Sequence, residues 1–266
     1  VLLINPPNLV PRGMAAALKR AVLPLGLASI AAAVQQHGYA VNVLDALIEG
    51  FNDERPWGAT HILVGLTPDE VGRRAAAEQP QVIGITCPVT AQHEMLVATA
   101  RAVKQACPDC RVVAGGQHPT LFARELLASC PEIDAIILGE GDDSFPAYLA
   151  ARDEAAALTA VDGLAWRDAT GTTRFNAKTR FITDLDRLPF PARELFPLAR
   201  YFSDGTPQNS FARSHRYASL ITSRGCPHQC TFCATHRHWG GSYRTRSVAS
   251  VLAEVAHLRR QHGSEE

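Results

Sequence analysis

Three closely spaced cysteines near the carboxyl end of the chain are the residues best suited to chemistry. Cys226, Cys230 and Cys233 have a C-x3-C-x2-C spacing, which can place three sulfur atoms around one centre. Cysteine thiolates bind iron–sulfur clusters, although four would complete a closed site and no fourth cysteine lies nearby. A tetrahedral zinc site also takes a fourth ligand, which His236 or His238 could supply. The spacing alone leaves both kinds of metal centre open.

The residues on either side of the cysteines favour the iron–sulfur cluster. An apolar run at residues 218–222 predicts a strand before the cysteines, and Phe232 directly precedes the last of them. A glycine pair at 240–241 and a predicted helix with Ser247 as its N-cap follow. This frame resembles the cluster loop of radical S-adenosylmethionine (SAM) enzymes, which follows the first strand of a partial (β/α) barrel.

The resemblance implies a role for each of the three cysteines. In that family three cysteines bind three irons of a [4Fe–4S] cluster, and the fourth iron binds the amino and carboxylate groups of SAM. Cys226, Cys230 and Cys233 match these ligands. The reduced cluster would cleave SAM to a 5′-deoxyadenosyl radical, using electrons from a reductant such as flavodoxin or ferredoxin. A non-catalytic zinc-binding protein is the alternative.

Residues 1 to about 150 alternate short apolar runs with segments of helical periodicity. The runs are continuously apolar, as parallel strands covered on both faces are, and predict strands at 1–4, 40–44, 82–86, 111–114 and 135–138. The helical segments are 25–36, 67–78, 91–105, 119–128 and 142–152. Strand–helix alternation predicts the α/β class with a doubly wound parallel sheet.

Four of the predicted strands end in loops rich in glycine, proline and polar residues. They occupy residues 5–8, 86–90, 115–120 and 139–142. The carboxyl ends of parallel strands meet at one edge of a sheet, where ligands bind near the switch in strand order. A single loop of this composition is weak evidence because such loops are common. Four of them at one edge predict a binding site.

These loops, in this order ahead of three cysteines, resemble the cobalamin-binding domain of one branch of the radical SAM family. The segment 24–28 and the Gly38-Tyr39 pair leading to Asp45 add to the resemblance. It implies a Rossmann-like domain that binds cobalamin. The implied contacts are Asn5, Pro6, Pro7, Leu25, Thr86, Pro88, Val89, Thr90, Gly115, Gly116, His118, Pro119, Thr120, Gly139, Glu140 and Gly141.

The chain lacks the D-x-H-x-x-G segment whose histidine binds cobalt from below in other cobalamin proteins. Asp53, Arg55 and Gly58 have that spacing, but arginine cannot replace the histidine as a ligand. We therefore expect side chains of residues 86–90 beneath the cobalt. We expect Cys87 to pack rather than react and Cys107-x-x-Cys110 to form a surface turn. We expect Arg224 to position SAM or the cluster loop, or to form a salt bridge within the barrel.

The chain is expected to divide into three parts. Residues 1–150 form the cobalamin-binding domain, 151–215 a linker with a β-hairpin at 161–167 and 172–175, and 216–266 the start of the radical SAM barrel. Because such a barrel takes about 200 residues or more, we expect a truncated chain, whose activity alone is open. The last segment is expected to be disordered, docked on the first domain or self-associated.

Composition limits the partners of the protein. The 266 residues have a formal net charge of zero with scattered basic residues, so no nucleic-acid partner is expected. No run of about 18 apolar residues predicts a membrane span. Seven cysteines, an odd number with three clustered, favour a reducing compartment, so we expect a cytoplasmic protein.

The resemblance implies a cobalamin-dependent radical SAM enzyme that acts on a small molecule. The expected activity is C-methyltransferase: the radical removes hydrogen from an unactivated carbon, and methylcobalamin then donates a methyl group. The alternatives are a ring-forming enzyme, such as an anaerobic porphyrin cyclase, and a cobalamin-binding module without catalysis. The implied cofactors are a [4Fe–4S] cluster, SAM and cobalamin.

Overall fold

The computed structural model describes residues 1–14, 18–207 and 211–266. Its strands are β1 Leu2–Asn5, β2 Asn8–Pro11, β3 Asn42–Asp45, β4 Glu54–Trp57, β5 His61–Val64, β6 Val82–Thr86, β7 Arg111–Gly115, β8 Ala135–Ile137, β9 Leu164–Arg167, β10 Thr173–Phe175, β11 Ser223–Arg224 and β12 Arg244–Thr245. Its α-helices are α1 Leu25–Gln36, α2 Ala46–Glu49, α3 Pro68–Ala77, α4 His93–Ala106, α5 Gln117–Leu121, α6 Ala123–Ser129, α7 Gly141–Ala151, α8 Ala155–Leu158, α9 Leu198–Ser203, α10 Thr235–Trp239 and α11 Val248–His262.

A seven-stranded sheet in the order β10-β9-β8-β7-β6-β1-β3 forms the centre of the fold. The strands β3, β1, β6, β7 and β8 are parallel, which confirms the predicted α/β class and doubly wound sheet. The strand order reverses at β1, because β3 lies on one side of it and β6 on the other. The carboxyl ends of β1 and β6 therefore flank the crevice where such sheets bind ligands.

Helices cover both faces of the parallel sheet, and successive residues of β1 show the two layers. Leu3 packs in one apolar cluster with Ala31 of α1 and Phe145 of α7. Leu2 packs in the other cluster with residues that include Val71 of α3. Alternate side chains of a strand point to opposite faces, so a short apolar run supplies both cores.

The predicted hairpin forms, and it extends the main sheet. β9 pairs antiparallel with β8, and β10 pairs antiparallel with β9. The division of the chain at residues 150 and 215 stays a prediction. In the part of the chain that the structure describes, no helix combines the length and the hydropathy that a bilayer crossing requires.

Three local predictions differ from the structure. The helix expected at 119–128 is two helices, α5 and α6, because the backbone of Phe122 leaves the helical region and its ring packs on His118. The apolar run at 218–222 is not a strand; pairing is limited to β11 and its antiparallel partner β12. A three-stranded antiparallel sheet, β2-β5-β4, was not predicted.

The helix predicted at 67–78 is confirmed as α3, and a capping box at Thr67 fixes its beginning. The Thr67 side chain accepts a hydrogen bond from the backbone N–H of Glu70, and the Glu70 carboxylate accepts one from the backbone N–H of Thr67. Thr67→Ala should lower the free energy of unfolding by about 1 kcal/mol, because a helix N–H loses its partner. Urea denaturation of both proteins measures this, and an unchanged midpoint would show that the cap contributes nothing.

A buried carboxyl group joins the sheet to the segment that follows it. Asp45, at the end of β3, accepts hydrogen bonds from the Asn5 amide, the Tyr201 hydroxyl and the Ile48 backbone N–H. Burial raises the pKa of Asp45 to about 6 despite these bonds, which favour the ionised form. Folding therefore favours the protonated carboxyl group.

This shift predicts a pH dependence of stability. Below pH of about 4 Asp45 is protonated in both states, and its stabilising contribution is complete. The contribution is lost as the pH rises through the folded-state pKa, on the order of 2 kcal/mol in total. Urea denaturation at pH values from about 4 to above the folded-state pKa of about 6 measures this change. In Asp45→Asn the free energy of unfolding should lose this dependence on pH. If the free energies of unfolding of the wild type and Asp45→Asn differ by the same amount at every pH, the raised pKa of Asp45 is contradicted.

Candidate functional site

A cavity of about 370 Å³ opens at the carboxyl edge of the parallel sheet, where the sequence predicted a site. Its size falls within the range of about 300–1,000 Å³ that is common for small-molecule sites. Three of the four predicted loops line it. The predicted residues in its wall are Thr86, Pro88, Val89, Gly115, Gly116, Gly139, Glu140 and Gly141.

The other predicted contacts lie behind the cavity wall or beside it. Asn5 is buried, and its amide donates to Asp45 Oδ1 over 2.8 Å. Pro6 and Pro7, which follow it, are also buried. Leu25 lines a separate small cavity next to the first. The remaining residues of this group are Thr90, His118, Pro119 and Thr120.

Three of these residues, Thr90, His118 and Thr120, support the loops that form the wall, and Pro119 is buried within α5. The two ring nitrogens of His118 lie 2.9 Å from His93 Nδ1 and 3.3 Å from Thr90 Oγ1. The Thr120 hydroxyl donates to the Gly116 carbonyl over 2.7 Å and accepts from the Gly139 N–H over 3.0 Å. One threonine thus ties together two of the glycine loops that face the cavity.

The backbone of the cavity wall is open to a ligand. An added Cβ at Gly115 or Gly26 would meet nothing within 4 Å, although both residues line the cavity. Gly116 differs, since its φ is 112° and a Cβ there would lie 2.6 Å from the Cys87 carbonyl oxygen. Glycine is required at position 116 by conformation, whereas position 115 leaves room for an occupant.

Apolar side chains dominate the rest of the wall. The sequence prediction missed Leu27 and Ile30 of α1, Phe145 of α7 and Trp239. The helical spacing of Leu27 and Ile30 was a usable signal, since both lie one turn apart near the start of α1. Cys87 is buried and its thiol lies 3.4 Å from the Val89 carbonyl oxygen. Burial raises the pKa of Cys87 to about 12, which keeps the thiol unreactive, as expected.

The end of the chain closes one side of the cavity. Ile221, Arg224, His238 and Trp239 complete the wall. The last segment is therefore docked on the first domain, which is one of the three expected outcomes. Burial lowers the pKa of His238 to about 4, so its imidazole is neutral at neutral pH. Its Nδ1 lies 3.5 Å from Thr120 Oγ1.

The three predicted cluster ligands lie on one exposed loop beside this cavity. Cys226 and Cys233 are partly exposed, and Cys230 is exposed. Hydrogen bonding with Thr235 lowers the pKa of Cys233, which favours the thiolate that binds metal. Within residues 1–14, 18–207 and 211–266, no three Cys, His, Asp or Glu side chains are grouped closely enough to hold a metal ion.

The three cysteine thiols are chemically suited to bind an iron–sulfur cluster. Three thiols on one loop are the protein ligands that a site-differentiated cluster needs, although the structure does not gather them around a centre. His238 points its ring toward Thr120 and the cavity. His236 Nδ1 is buried and has no hydrogen-bond partner among the residues that the structure describes. The other close pair, Cys107 and Cys110, has thiol pKa values raised by burial, as in an inert turn.

Comparison with known proteins identifies the first part of the chain. Residues 11–149, about half of the sequence, match the model of the B12 binding domain family. The three predicted loops that line the cavity lie inside this range, whereas five residues of the wall lie outside it, namely Leu3, Ile221, Arg224, His238 and Trp239.

Relatives match over all or nearly all of the chain. A cytidylyl-2-hydroxyethylphosphonate methyltransferase from Streptomyces wedmorensis is 30% identical over all of this chain and 53% of its own length. An anaerobic magnesium-protoporphyrin IX monomethyl ester cyclase from Synechocystis is 29% identical over 99% of this chain and 47% of its own length. The chain thus spans about half the length of the relatives that it matches.

Solved structures share the fold. The radical SAM methyltransferase TsrM from Kitasatospora setae, with cobalamin and a [4Fe–4S] cluster bound, superposes with a TM-score of 0.68 at 19% identity, over 98% of this chain and 46% of TsrM. At this identity the likeness concerns the fold alone. The match to residues 11–149 places the chain in the B12 binding domain family, and its fold is similar to that of the radical SAM methyltransferase TsrM.

Proposed function

We propose that this chain is the cobalamin-binding part and the cluster loop of a cobalamin-dependent radical SAM methyltransferase that acts on a small molecule. One observation supports this most strongly. The segment with Cys226, Cys230 and Cys233 is docked on the mouth of the cavity that the B12 binding domain forms. A carbon-centred radical can receive a methyl group from cobalamin only if both cofactors face the same space.

The composition of the cavity wall supports a proposal for the residues that would hold cobalamin. Thr86, Pro88 and Val89 would lie against one side of the corrin, and Gly115 and Gly116 would bring their backbone close to it. Ile30, Phe145 and Trp239 would exclude water from its edge. Apart from its charged residues, the wall has few polar side chains. It therefore suits a flat ligand with a large apolar area.

The cluster would be held by the thiolates of the three cysteines. Its fourth iron would bind SAM, and when bound the cofactors supply a 5′-deoxyadenosyl radical and a methyl group. The work of this chain is to bind and orient them, since the cofactors provide the reactive atoms. His238, neutral and buried in the cavity wall, would present an uncharged ring to the occupant.

A ring-forming reaction is the second candidate, because a porphyrin ester cyclase is among the relatives that match nearly the whole chain. A cobalamin-binding module without catalysis is the third.

Electrons would come from flavodoxin or ferredoxin. We assign the protein to the cytoplasm, where the seven cysteines, all free in the structure, would stay reduced.

The proposal is tested by anaerobic reconstitution with iron, sulfide and hydroxocobalamin, followed by incubation with SAM and a low-potential reductant. Formation of 5′-deoxyadenosine and of methylcobalamin supports the methyltransferase. Formation of 5′-deoxyadenosine without methylcobalamin favours a ring-forming enzyme. If the protein retains cobalamin but cleaves no SAM, a binding module is indicated.

A further inference from the structure

Four buried charges lie at the junction between the cavity and the segment that contains the cysteines. They are Glu140 and Asp142 at the start of α7, Arg224 on β11 and Arg244 on β12. The side chains of the two acids are 0% and 5% exposed, and those of the two arginines are both 7% exposed. Charges are buried this deeply only when they are paired, and here two of each sign balance. We name these four residues the charge clamp.

The contacts within the charge clamp are directional. Arg224 donates two hydrogen bonds to Asp142, over 2.8 Å and 3.1 Å, and lies 3.5 Å from Glu140. Arg244 contacts Glu140 at 2.9 Å. A two-pronged arginine–carboxylate contact fixes orientation as well as distance, which a single contact does not.

The positions of the two arginines explain what these contacts can control. Arg224 and Arg244 are paired residues on the neighbouring strands β11 and β12. All three cysteines lie between them, in residues 225–243, which we name the cysteine loop. Arg224 and Arg244, which flank the cysteine loop, thus bind Glu140 and Asp142 of the cavity wall. These two acids are two residues apart in the chain.

We propose that the charge clamp positions the cysteine loop relative to the cavity, and that Glu140, Asp142, Arg224 and Arg244 are positioning residues. This inference rests on the proposed function, since it assigns a cluster to the loop and cobalamin to the cavity. The clamp acts through the loop, so it sets the spacing of the two cofactors without binding either metal. Glu140, predicted as a cobalamin contact, has this second role in addition to lining the cavity.

A different buried ion pair provides a matched control. Arg193 and Glu254 contact each other at 2.8 Å, with side chains 3% and 1% exposed. They join the segment before the cysteines to α11, and neither lines the large cavity. Glu254 also pairs with Arg246, which follows β12 and lies outside the cysteine loop. Glu254→Gln should therefore destabilise the protein as Asp142→Asn does while leaving the contacts of Arg224 and Arg244 in place.

The first measurement is pulsed dipolar EPR between the Co(II) of bound cobalamin and the reduced cluster in the reconstituted protein. The wild type and Glu254→Gln should give one narrow distance distribution. In molecules that hold both cofactors, Asp142→Asn and Arg224→Gln should each broaden the distribution by about twofold or more, because the loop loses its fixed end. The double variant should broaden it no further, since the two residues act as a pair. An unchanged distribution in these variants would overturn the proposal.

The second measurement needs no cofactor. Trypsin can cleave the cysteine loop after the exposed Arg237. In the apo protein, Asp142→Asn and Arg224→Gln should speed this cleavage relative to the wild type and Glu254→Gln; equal rates would overturn the clamp. A wild-type protein that binds neither cofactor would instead contradict the proposed function and leave the trypsin result to decide on the clamp.

Discussion

Replacing Cys226, Cys230 or Cys233 with alanine is expected to reduce the iron content of the reconstituted protein to background. The broad absorption at about 400 nm should disappear with it, because a cluster held by three protein thiolates cannot lose one and keep its open iron site. SAM cleavage should be lost as well. Cobalamin should still bind, since its cavity is formed almost entirely by a separate part of the chain.

Cys107→Ala is the matched control for these three variants. Cys107 is also a partly exposed thiol, but it lies in a turn after α4, away from the cavity. Its replacement should leave iron, absorption and SAM cleavage unchanged. A colourless wild-type protein with stoichiometric zinc, lost in the three variants, would contradict the cluster and support the zinc alternative.

Gly115→Phe is expected to prevent cobalamin binding without unfolding the domain. Gly115 lines the cavity, its φ is outside the left-handed region and an added Cβ meets no atom within 4 Å. The phenyl ring would therefore occupy the space that the corrin needs. We expect cobalamin affinity to fall about 100-fold or more, since a filled cavity can accept the ligand only by displacing the wall.

Equilibrium dialysis with hydroxocobalamin measures this loss. Gly13→Phe is the control, because Gly13 is exposed, has open space at its Cβ position and does not line the cavity. The thermal midpoints of both variants should stay near that of the wild type. Unchanged affinity in Gly115→Phe would show that cobalamin, if it binds, binds elsewhere.

The edge of the sheet that bears the site could be predicted because local sequence determines it. A short apolar run such as that ending at Thr86 indicates a buried parallel strand, and the loops after parallel strands must meet at one edge. The capping pattern at Thr67 likewise specified the beginning of α3. These are properties of neighbouring residues, so one sequence is enough to infer them.

Which loop residues face the cavity depends on contacts far apart in the chain. Asn5 precedes two prolines at the expected edge, yet its amide is bound by Asp45, a residue 40 positions later. His118 is held by His93 and Thr90 behind the wall. Sequence identifies such residues as polar and near the edge, but the side on which they lie is set by their tertiary partners.

The acidic partners in the charge clamp were out of reach for the same reason. Arg224 was expected to position SAM or the cluster loop, or to form a salt bridge within the barrel, but its partner Asp142 is 82 residues away on the first domain. The strand predicted at 218–222 does not form, although the local sequence permits it. An apolar run permits a strand, but pairing forms only where a neighbouring backbone is available, here at residues 223–224.

The central claim is that the cavity holds cobalamin while the loop docked at its mouth holds an iron–sulfur cluster. Gel filtration of the anaerobically reconstituted protein, with cobalamin read from its visible spectrum and iron by chemical analysis, tests this most directly. Our account predicts that both cofactors elute with the protein and that iron alone is lost in Cys230→Ala. Cobalamin that separates from a folded, iron-loaded protein would contradict it.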